Sequence, residues 1–415
     1  MWKQPWGYKE GFTICAGLFV VGIILQFTVG KVNWDLMAFP VNVVILAIYI
    51  IALIAMHIGS RKIYIFKWMS RYPAAVTSMI AVVTMTVVMG LIRQKPFYIE
   101  VSGFESWLGF SQMLSAWPFI LLFGWLITLV GMVTLRRIFP FRWKNIPFLL
   151  NHLGLFIALT GAVFGNADMQ RLEMTTSLGG QPEWRAYDLQ KNMVELPLAV
   201  ELKNFTIEEY PPKLMLIDNK NGKALPESKP VNILLEDDFH QGELLDWQIT
   251  LEQRIPEAAS MATEDTIKFV EFHSMGATYA VYVQAVNTRT GEQKEGWVSC
   301  GSFAFPYKAI RLDEEISLIM PEREPRRFAS DVVVYTQQTE KIEEATIEVN
   351  KPFHIDGWKI YQLSYDETKG KWSTISILEL VKDPWLPIVY TGIWMLIAGA
   401  VCMFITAGKR KEDKE

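Results

Sequence analysis

Six apolar runs, each about twenty residues long and almost free of charged residues, constrain this chain more than any other feature. A helix that rises about 1.5 Å per residue needs about 20 apolar residues to cross a hydrocarbon core about 30 Å thick. The runs therefore exclude a purely soluble globule and predict six transmembrane α-helices, the first an anchor and not a cleaved leader. The predicted spans are 11–29, 37–58, 74–92, 117–135, 147–165 and 385–407.

Basic residues beside these runs predict the orientation in the membrane. Lys and Arg in short loops are retained in the cytoplasm, and the basic clusters fall on one side of the predicted spans, with Arg93 and Lys95 a mild exception. We therefore expect both termini in the cytoplasm and the long segment between spans five and six outside it. The clusters are Lys3 and Lys9; Arg61, Lys62, Lys67 and Arg71; Arg136, Arg137, Arg142 and Lys144; and Lys409, Arg410, Lys411 and Lys414.

The long segment after span five has a different pattern. Short alternating stretches such as residues 278–286 and 331–336 are separated by turn signals, among them Asp356-Gly357, which is typical of antiparallel strands. We predict a large, mostly antiparallel β domain, a sandwich or an open barrel. The predicted divisions are a membrane domain with five helices (1–165), the β domain (166–384), and the sixth helix with a basic cytoplasmic tail (385–415).

Composition excludes several classes of function. With 40 Lys and Arg against 44 Asp and Glu, the net charge of −4 gives no basic patch for nucleic acid. The three Cys lack paired spacing, which argues against a disulfide framework or a zinc site. Cys300, the only thiol of the β region, is best interpreted as an inert small hydrophobe. The usual motifs for proteolysis, acyl transfer and nucleotide hydrolysis are missing.

Two of the five histidines lie within predicted spans. His57 is near the end of span two and His152 is about one turn into span five, so the predicted orientation puts both in the cytoplasmic leaflet. An ionisable group there indicates a functional site, and a neutral imidazole is a good axial ligand for haem iron. The competing interpretation is an interfacial histidine solvated by headgroups beside Arg61 or Asn151.

Several strings resemble the ResB/CcsB family of cytochrome c biogenesis proteins. The family signature combines a V-N-x-P run, a Y-Q-x-S-Y run and a D-P before the last span. Here the corresponding segments are 349–352, 361–365 and 383–384, and further support comes from residues 151–162 and 200–213. The match covers both ends of residues 147–407. Of the two histidines, His152 fits the family's position before the β domain better than His57, because the family more often has about three spans there.

The resemblance implies a role in the system II pathway of the bacterial inner (cytoplasmic) membrane. A ResB/CcsB protein works there with a CcsA/ResC-type partner to export haem b and present it to apocytochrome c. This chain would be a non-autonomous subunit of a haem lyase, also called a holocytochrome c synthase. The β domain of this chain would be extracytoplasmic. The implied haem ligands are His152, as axial ligand of the iron, and His57; further implied partners are thiol reductants and the lipid bilayer.

Two other classes of function stay open. The first is a non-enzymatic membrane scaffold or sensor whose β domain binds an extracytoplasmic protein and whose histidines are incidental. The second is a transporter, which the sequence disfavours because the spans lack acidic residues and the Gly/Pro-broken pairs expected of a substrate site.

Overall fold

The computed structural model describes residues 2–96, 98–99, 103, 107–262 and 267–412, with side chains described up to residue 405. The chain forms two compact units. The helical unit contains residues 1–170 and 382–415, and the β unit contains residues 171–381.

The helical unit contains seven α-helices among its described residues, and six of them are long and apolar enough to cross a membrane. Their length and composition suit a multi-pass membrane protein, as the sequence predicts. The helices are α1 (Tyr8–Thr28), α2 (Val41–Gly59), α3 (Tyr64–Trp68), α4 (Tyr72–Leu91), α5 (Trp117–Ile138), α6 (Ile146–Gly165) and α7 (Leu386–Glu412).

The second helix begins four residues later than its predicted span. Residues Trp34–Met37 form a separate 3-10 turn, and α2 starts only after Pro40. Proline has no backbone N–H, so it suits the start of a helix and interrupts one elsewhere. Because residues 37–40 are apolar, the predicted span began four residues before the helix does.

α6 and α7 pack with their backbones close together. A Cβ atom added at Gly154 would lie 2.6 Å from the carbonyl oxygen of Gly392, and one at Gly392 would lie 2.5 Å from the backbone nitrogen of Ala158. Asn151 adds a polar contact, since its Nδ2 donates to the carbonyl oxygen of Leu396 at 3.3 Å. Small residues at such positions let membrane helices approach closely.

One carboxylate joins three helix ends. Asp168, just after α6, accepts hydrogen bonds from the Phe39 backbone N–H at 2.7 Å and from Asn42 Nδ2 at 2.7 Å, at the start of α2. It also accepts from Trp385 Nε1 at 2.6 Å, just before α7. Asp383 in turn accepts the backbone N–H groups of Trp385 and Leu386, so the Asp of the D-P motif caps α7.

The β unit consists of seventeen strands among the described residues. They are β1 (Gln170–Ser177), β2 (Glu183–Tyr187), β3 (Met193–Glu209), β4 (Lys213–Asp218), β5 (Asn232–Leu234), β6 (Gln241–Leu244), β7 (Trp247–Ala262), β8 (Ile267–Glu271), β9 (Thr278–Asn287), β10 (Gln293–Ser299), β11 (Ile310–Arg311), β12 (Ile316–Ile319), β13 (Pro325–Thr336), β14 (Ile342–Glu348), β15 (Phe353–Ile355), β16 (Trp358–Tyr365) and β17 (Ile375–Lys382).

These strands form three sheets. The first has the order β14-β13-β3-β2-β1-β17-β16-β15, and its edge strands β14 and β15 contact each other, so the sheet curves back on itself. The second has the order β10-β9-β7-β6, with β8 paired to β7, and the third has the order β11-β12-β4-β5. The strand pairs whose register is described are antiparallel, as the sequence predicts.

The β unit has two main hydrophobic cores, where the sequence predicted one sandwich or barrel. The first sheet encloses one core, which includes Trp358, Ile360 and Leu378. The second and third sheets share the other, which includes Trp247 and Leu318. The alternation of apolar residues predicts which side of a strand is buried but not which strands share a core.

Candidate functional site

His152 is held in a defined orientation by the turn of α6 that precedes it. Its Nδ1 lies 3.2 Å from the carbonyl oxygen of Phe148, four residues earlier. Since a carbonyl oxygen only accepts, Nδ1 carries the proton. The imidazole also stacks on the Phe148 ring, with centroids 3.7 Å apart and planes 16° from parallel. Phe148 therefore fixes both the tautomer and the plane of the half-buried His152 ring.

This arrangement leaves Nε2 of His152 with a lone pair. Within the described part of the chain, no hydrogen bond to Nε2 is present. Histidines that bind metals usually donate the other ring N–H to a carbonyl or carboxylate, which orients the ring and makes the free nitrogen a better ligand. His152 has this arrangement, with the Phe148 carbonyl as the acceptor.

The end of α5 lies beside the same aromatic residue. The Arg137 guanidinium carbon, in the last turn of α5, is 5.0 Å from the centre of the Phe148 ring. Buried Asn145, just before α6, donates through Nδ2 to the carbonyl oxygen of Arg137 at 3.3 Å. A cation is thus held next to the Phe148–His152 stack.

His57 lies near the same end of α5. Its ring centroid is 6.2 Å from that of Phe139, the residue that follows α5. The backbone of His57 is also engaged, because its carbonyl oxygen accepts from the Ser60 hydroxyl at 2.6 Å. Both candidate histidines therefore lie near the end of α5. His57 lies beside Phe139, and His152 stacks on Phe148, which contacts Arg137. In the described residues no ring contact joins the two imidazoles directly.

Haem iron can be held by one protein side chain such as a histidine, whereas a bare metal ion needs several converging protein ligands. Over the residues that the structure describes, no group of three or more His, Cys, Asp or Glu side chains could hold a metal ion. A single oriented imidazole beside an aromatic ring and a guanidinium therefore fits haem better than a free metal ion. That His152 or His57 binds haem stays a prediction.

The three histidines of the β unit have other surroundings. His240, His273 and His354 are all exposed. His273 Nδ1 lies 2.8 Å from a Glu257 carboxylate oxygen, and this hydrogen bond raises the pKa of His273. These side chains are interpreted as surface residues.

A second candidate site is a cavity of about 330 Å³ in the β unit. Tyr279, Cys300, Phe303, Arg323, Lys371 and Trp372 are among the residues that line it. The mostly buried Arg323 pairs with Glu209 at 2.8 Å, and its guanidinium lies 5.7 Å from the centre of the Tyr279 ring. Burial raises the pKa of Tyr279. Trp372 Nε1 donates to the carbonyl oxygen of Ala277 at 3.2 Å.

No sequence pattern indicates this cavity. Its residues come from four segments, near positions 209, 277–303, 322–323 and 367–372, and no motif connects them. Cys300, interpreted as an inert hydrophobe, lies partly buried on its wall, with Sγ 3.5 Å from the Thr278 hydroxyl oxygen.

Comparison with known proteins adds a family assignment for one part of the chain. Residues 275–376 match the model of the ResB-like family. No curated protein sequence matches the chain. The match runs from just before β9 into β17 and contains every residue that lines the cavity except Glu209. It supports involvement in cytochrome c biogenesis in the broad sense. This match confirms the resemblance to the ResB/CcsB family over residues 275–376.

Proposed function

We propose that this protein handles haem as a substrate in cytochrome c biogenesis, as the ResB-type membrane subunit of a system II synthetase. It would act with a CcsA/ResC-type partner that presents haem to apocytochrome c, and would not act as a lyase alone. The observation that carries the proposal is His152, whose Nδ1 donates to the Phe148 carbonyl and leaves Nε2 available for haem iron.

The surroundings of His152 support this substrate. Haem has a flat apolar ring system with two carboxylates at one edge. The Phe148 ring offers an aromatic face beside the imidazole, and Arg137 offers a guanidinium next to that face. Guanidinium groups bind carboxylates well because two N–H donors match two oxygens. We propose Arg137, with Arg61 and Lys144 as further candidates, as the partners of the haem propionates.

His57 is the second proposed ligand. Its ring lies beside Phe139 and the end of α5, where the His152 stack also lies. His57 would either complete the axial pair at one haem or hold haem at a neighbouring step of its path. In the proposed orientation both histidines face the cytoplasmic leaflet of the bacterial inner membrane, and the β unit is extracytoplasmic.

The test is the visible spectrum of the chain purified with a co-expressed CcsA-type partner. The proposal predicts a Soret band that weakens in His152→Ala and returns when imidazole is added, because free imidazole replaces the missing ligand. His273→Ala is the matched control, since His273 is exposed in the β unit, and it should leave the band unchanged. A complex that forms and never carries haem would contradict the proposal.

The cavity of the β unit supports a second candidate function, a scaffold that binds an extracytoplasmic protein. Phe303 is exposed at this cavity and Lys371 lies 4.9 Å from the centre of the Trp372 ring, so aromatic and cationic groups are available to a partner. If this function is correct, Phe303→Ala lowers recovery of the partner in co-purification, and His152→Ala does not. The opposite pattern favours haem handling.

A further inference from the structure

The ends of β1 and β17 are covalently close to two predicted membrane spans. β1 begins at Gln170, five residues after the end of α6 at Gly165. β17 ends at Lys382, four residues before the start of α7 at Leu386. A fully extended chain covers at most about 3.6 Å per residue, so each strand end lies within about 18 Å of a helix end.

Strand register puts the β2–β3 turn at the same end of the first sheet. Tyr187 pairs with Glu173 of β1 and with Met193 of β3. The turn at residues 188–192 therefore extends beyond Glu173, in the direction of Gln170. Lys191 Nζ contacts the Glu173 carboxylate at 3.2 Å, which holds the turn against β1.

Two more turns lie at this end. Lys359 of β16 pairs with Val381 of β17, so the turn at Asp356 and Gly357 extends beyond the end of β17. The Thr339 hydroxyl, in the β13–β14 turn, donates to the Asp356 carboxylate at 3.0 Å. Three hairpin turns of the first sheet are thus at the same end of the sheet as residues 170 and 382, which connect to α6 and α7.

Apolar side chains are exposed on these hairpins. Leu189, Met193 and Ile342 are 52%, 57% and 68% exposed, and Tyr187 is exposed beside Met193. We call these four residues the hairpin rim. None of the four belongs to the described buried residues of either main core. Large apolar groups grouped at one surface of a protein usually contact something apolar.

Two of the three acidic residues of these turns accept hydrogen bonds from turn residues. The Asp188 carboxylate accepts the backbone N–H groups of Gln190 and Asn192, at 2.9 and 2.8 Å, and Asp356 accepts from Thr339. Lys191 is paired with Glu173. The three turns together contain three acidic and two basic residues, so they have no positive excess that would select an anionic partner.

We propose that the hairpin rim inserts into the headgroup layer of the bilayer that α6 and α7 cross. Apolar and aromatic side chains at this depth leave water and contact the upper part of the acyl chains. This transfer is favourable. Because the turns have no positive excess, the contact does not depend on anionic lipid. The proposal rests on the membrane spans and is independent of haem handling.

Spin labels test the proposal in the full chain. Cys15, Cys300 and Cys402 are replaced by Ser, and a nitroxide is attached at Leu189→Cys or Ile342→Cys in phosphatidylcholine nanodiscs. At both positions the nitroxide should collide more often with oxygen, which concentrates in the bilayer, than with a water-soluble nickel chelate. Addition of anionic lipid should not change the ratio of oxygen to chelate collisions. The control is Leu178→Cys, an equally apolar exposed position just beyond the other end of β1, where the chelate should dominate.

Equal chelate access at positions 189, 342 and 178 would overturn the proposal. Hydrogen exchange of the unsubstituted chain tests it without any substitution. Backbone amides of residues 187–193 should exchange several-fold more slowly in nanodiscs than in detergent, and those of residues 178–182 should not change. Identical exchange of residues 187–193 in the two media would also overturn the proposal.

Discussion

The helical unit and the β unit bury their apolar side chains against different neighbours. In the helical unit only 11% of the residues in the most apolar stretch of α2, and of α7, are buried within the chain. For α5, which contacts four other helices of the unit, the buried share is 50%. In the β unit the strands alternate buried and exposed positions around two main cores. The long helices present apolar residues outward, and the strands mostly present them inward.

This difference indicates what stabilises each unit. Lipid is as apolar as a leucine side chain, so helices in a membrane gain little from burial and depend on close packing and on a few hydrogen bonds. Strands in water gain mainly from removing apolar surface from solvent. Substitutions that disturb backbone approach should therefore matter most in the helical unit, and those that empty a core should matter most in the β unit.

The largest effect should come from emptying a core of the β unit. Leu378 of β17 is fully buried, so Leu378→Ala should lower the free energy of unfolding by about 2–5 kcal/mol through lost burial and a residual cavity. Leu363→Ala in neighbouring β16, where the side chain is 44% exposed, should change it by less than about 0.5 kcal/mol. Urea unfolding followed by near-ultraviolet circular dichroism measures both, and equal losses would contradict the division into core and surface.

Glycine substitutions should separate close helix packing from helix propensity. Gly154→Ala puts a methyl group 2.6 Å from both the Gly392 carbonyl oxygen and the Leu396 nitrogen, which should destabilise the α6–α7 pair by about 1–3 kcal/mol. Gly17→Ala in α1 meets no atom within 4 Å and should stabilise the helix by up to about 1 kcal/mol. Thermal unfolding in detergent should give shifts of opposite sign. A shared sign would show that backbone approach does not limit this packing.

The carboxylate of Asp168 should contribute less than the glycine contacts. Asp168→Asn keeps the size of the side chain but turns one acceptor oxygen into a donor that faces Asn42, Phe39 or Trp385. We expect a loss of about 1–2 kcal/mol, because hydrogen bonds to a charged group are replaced by weaker or unfavourable contacts. The control is Asp35→Asn, an exposed carboxylate near the start of α2, which should have almost no effect in the same thermal assay.

The smallest effect should be a pH dependence at the surface of the β unit. Hydrogen bonds from Arg327 and Lys351 lower the pKa of Glu348 from 4.5 to about 2. A carboxylate whose pKa is lower in the folded chain stabilises the fold when the pH is above its pKa in the unfolded chain. This stabilisation is lost as the pH falls through the pKa of the folded chain. The stability that Glu348 contributes should thus be complete above about pH 5 and decline towards pH 2.

Glu348→Gln should remove this part of the pH dependence without changing the fold. Acid unfolding followed by tryptophan fluorescence between pH 6 and pH 2 should be shallower in Glu348→Gln than in the unsubstituted chain. Glu343→Gln on the same strand, where the nearest cation is Lys341 at 3.9 Å, is the control. If both variants lose the same pH dependence, the Arg327–Glu348 contact does not carry it.

The sequence predicted the helices well because each apolar run carries its own signal. Four of the six spans were placed within about three residues at both ends. α7 continues five residues beyond the sixth span, and the second span was extended by the apolar residues before Pro40. It also pointed to His152 and His57, because a polar group in an apolar run stands out from its neighbours.

The β unit was less predictable because its organisation is not local. Residues 209, 279, 300 and 372 meet at one cavity only after strands far apart in sequence have paired. The local sequence pattern predicted that strands form and that a turn lies at Asp356 and Gly357. The positive φ of both residues agrees with this turn. It could not predict three sheets, two main cores or the Arg323–Glu209 pair.

A ferric haem titration of the full chain in nanodiscs tests whether His57 and His152 bind haem. It compares the native sequence with a His57→Ala/His152→Ala variant of the helical unit and a His240→Ala/His273→Ala/His354→Ala variant of the β unit. Haem binding by His57 and His152 predicts that the triple variant binds like the native chain and that the double variant loses the low-spin Soret band and about tenfold or more in affinity. A double variant that binds haem as tightly as the native chain, with the same spectrum, would contradict it.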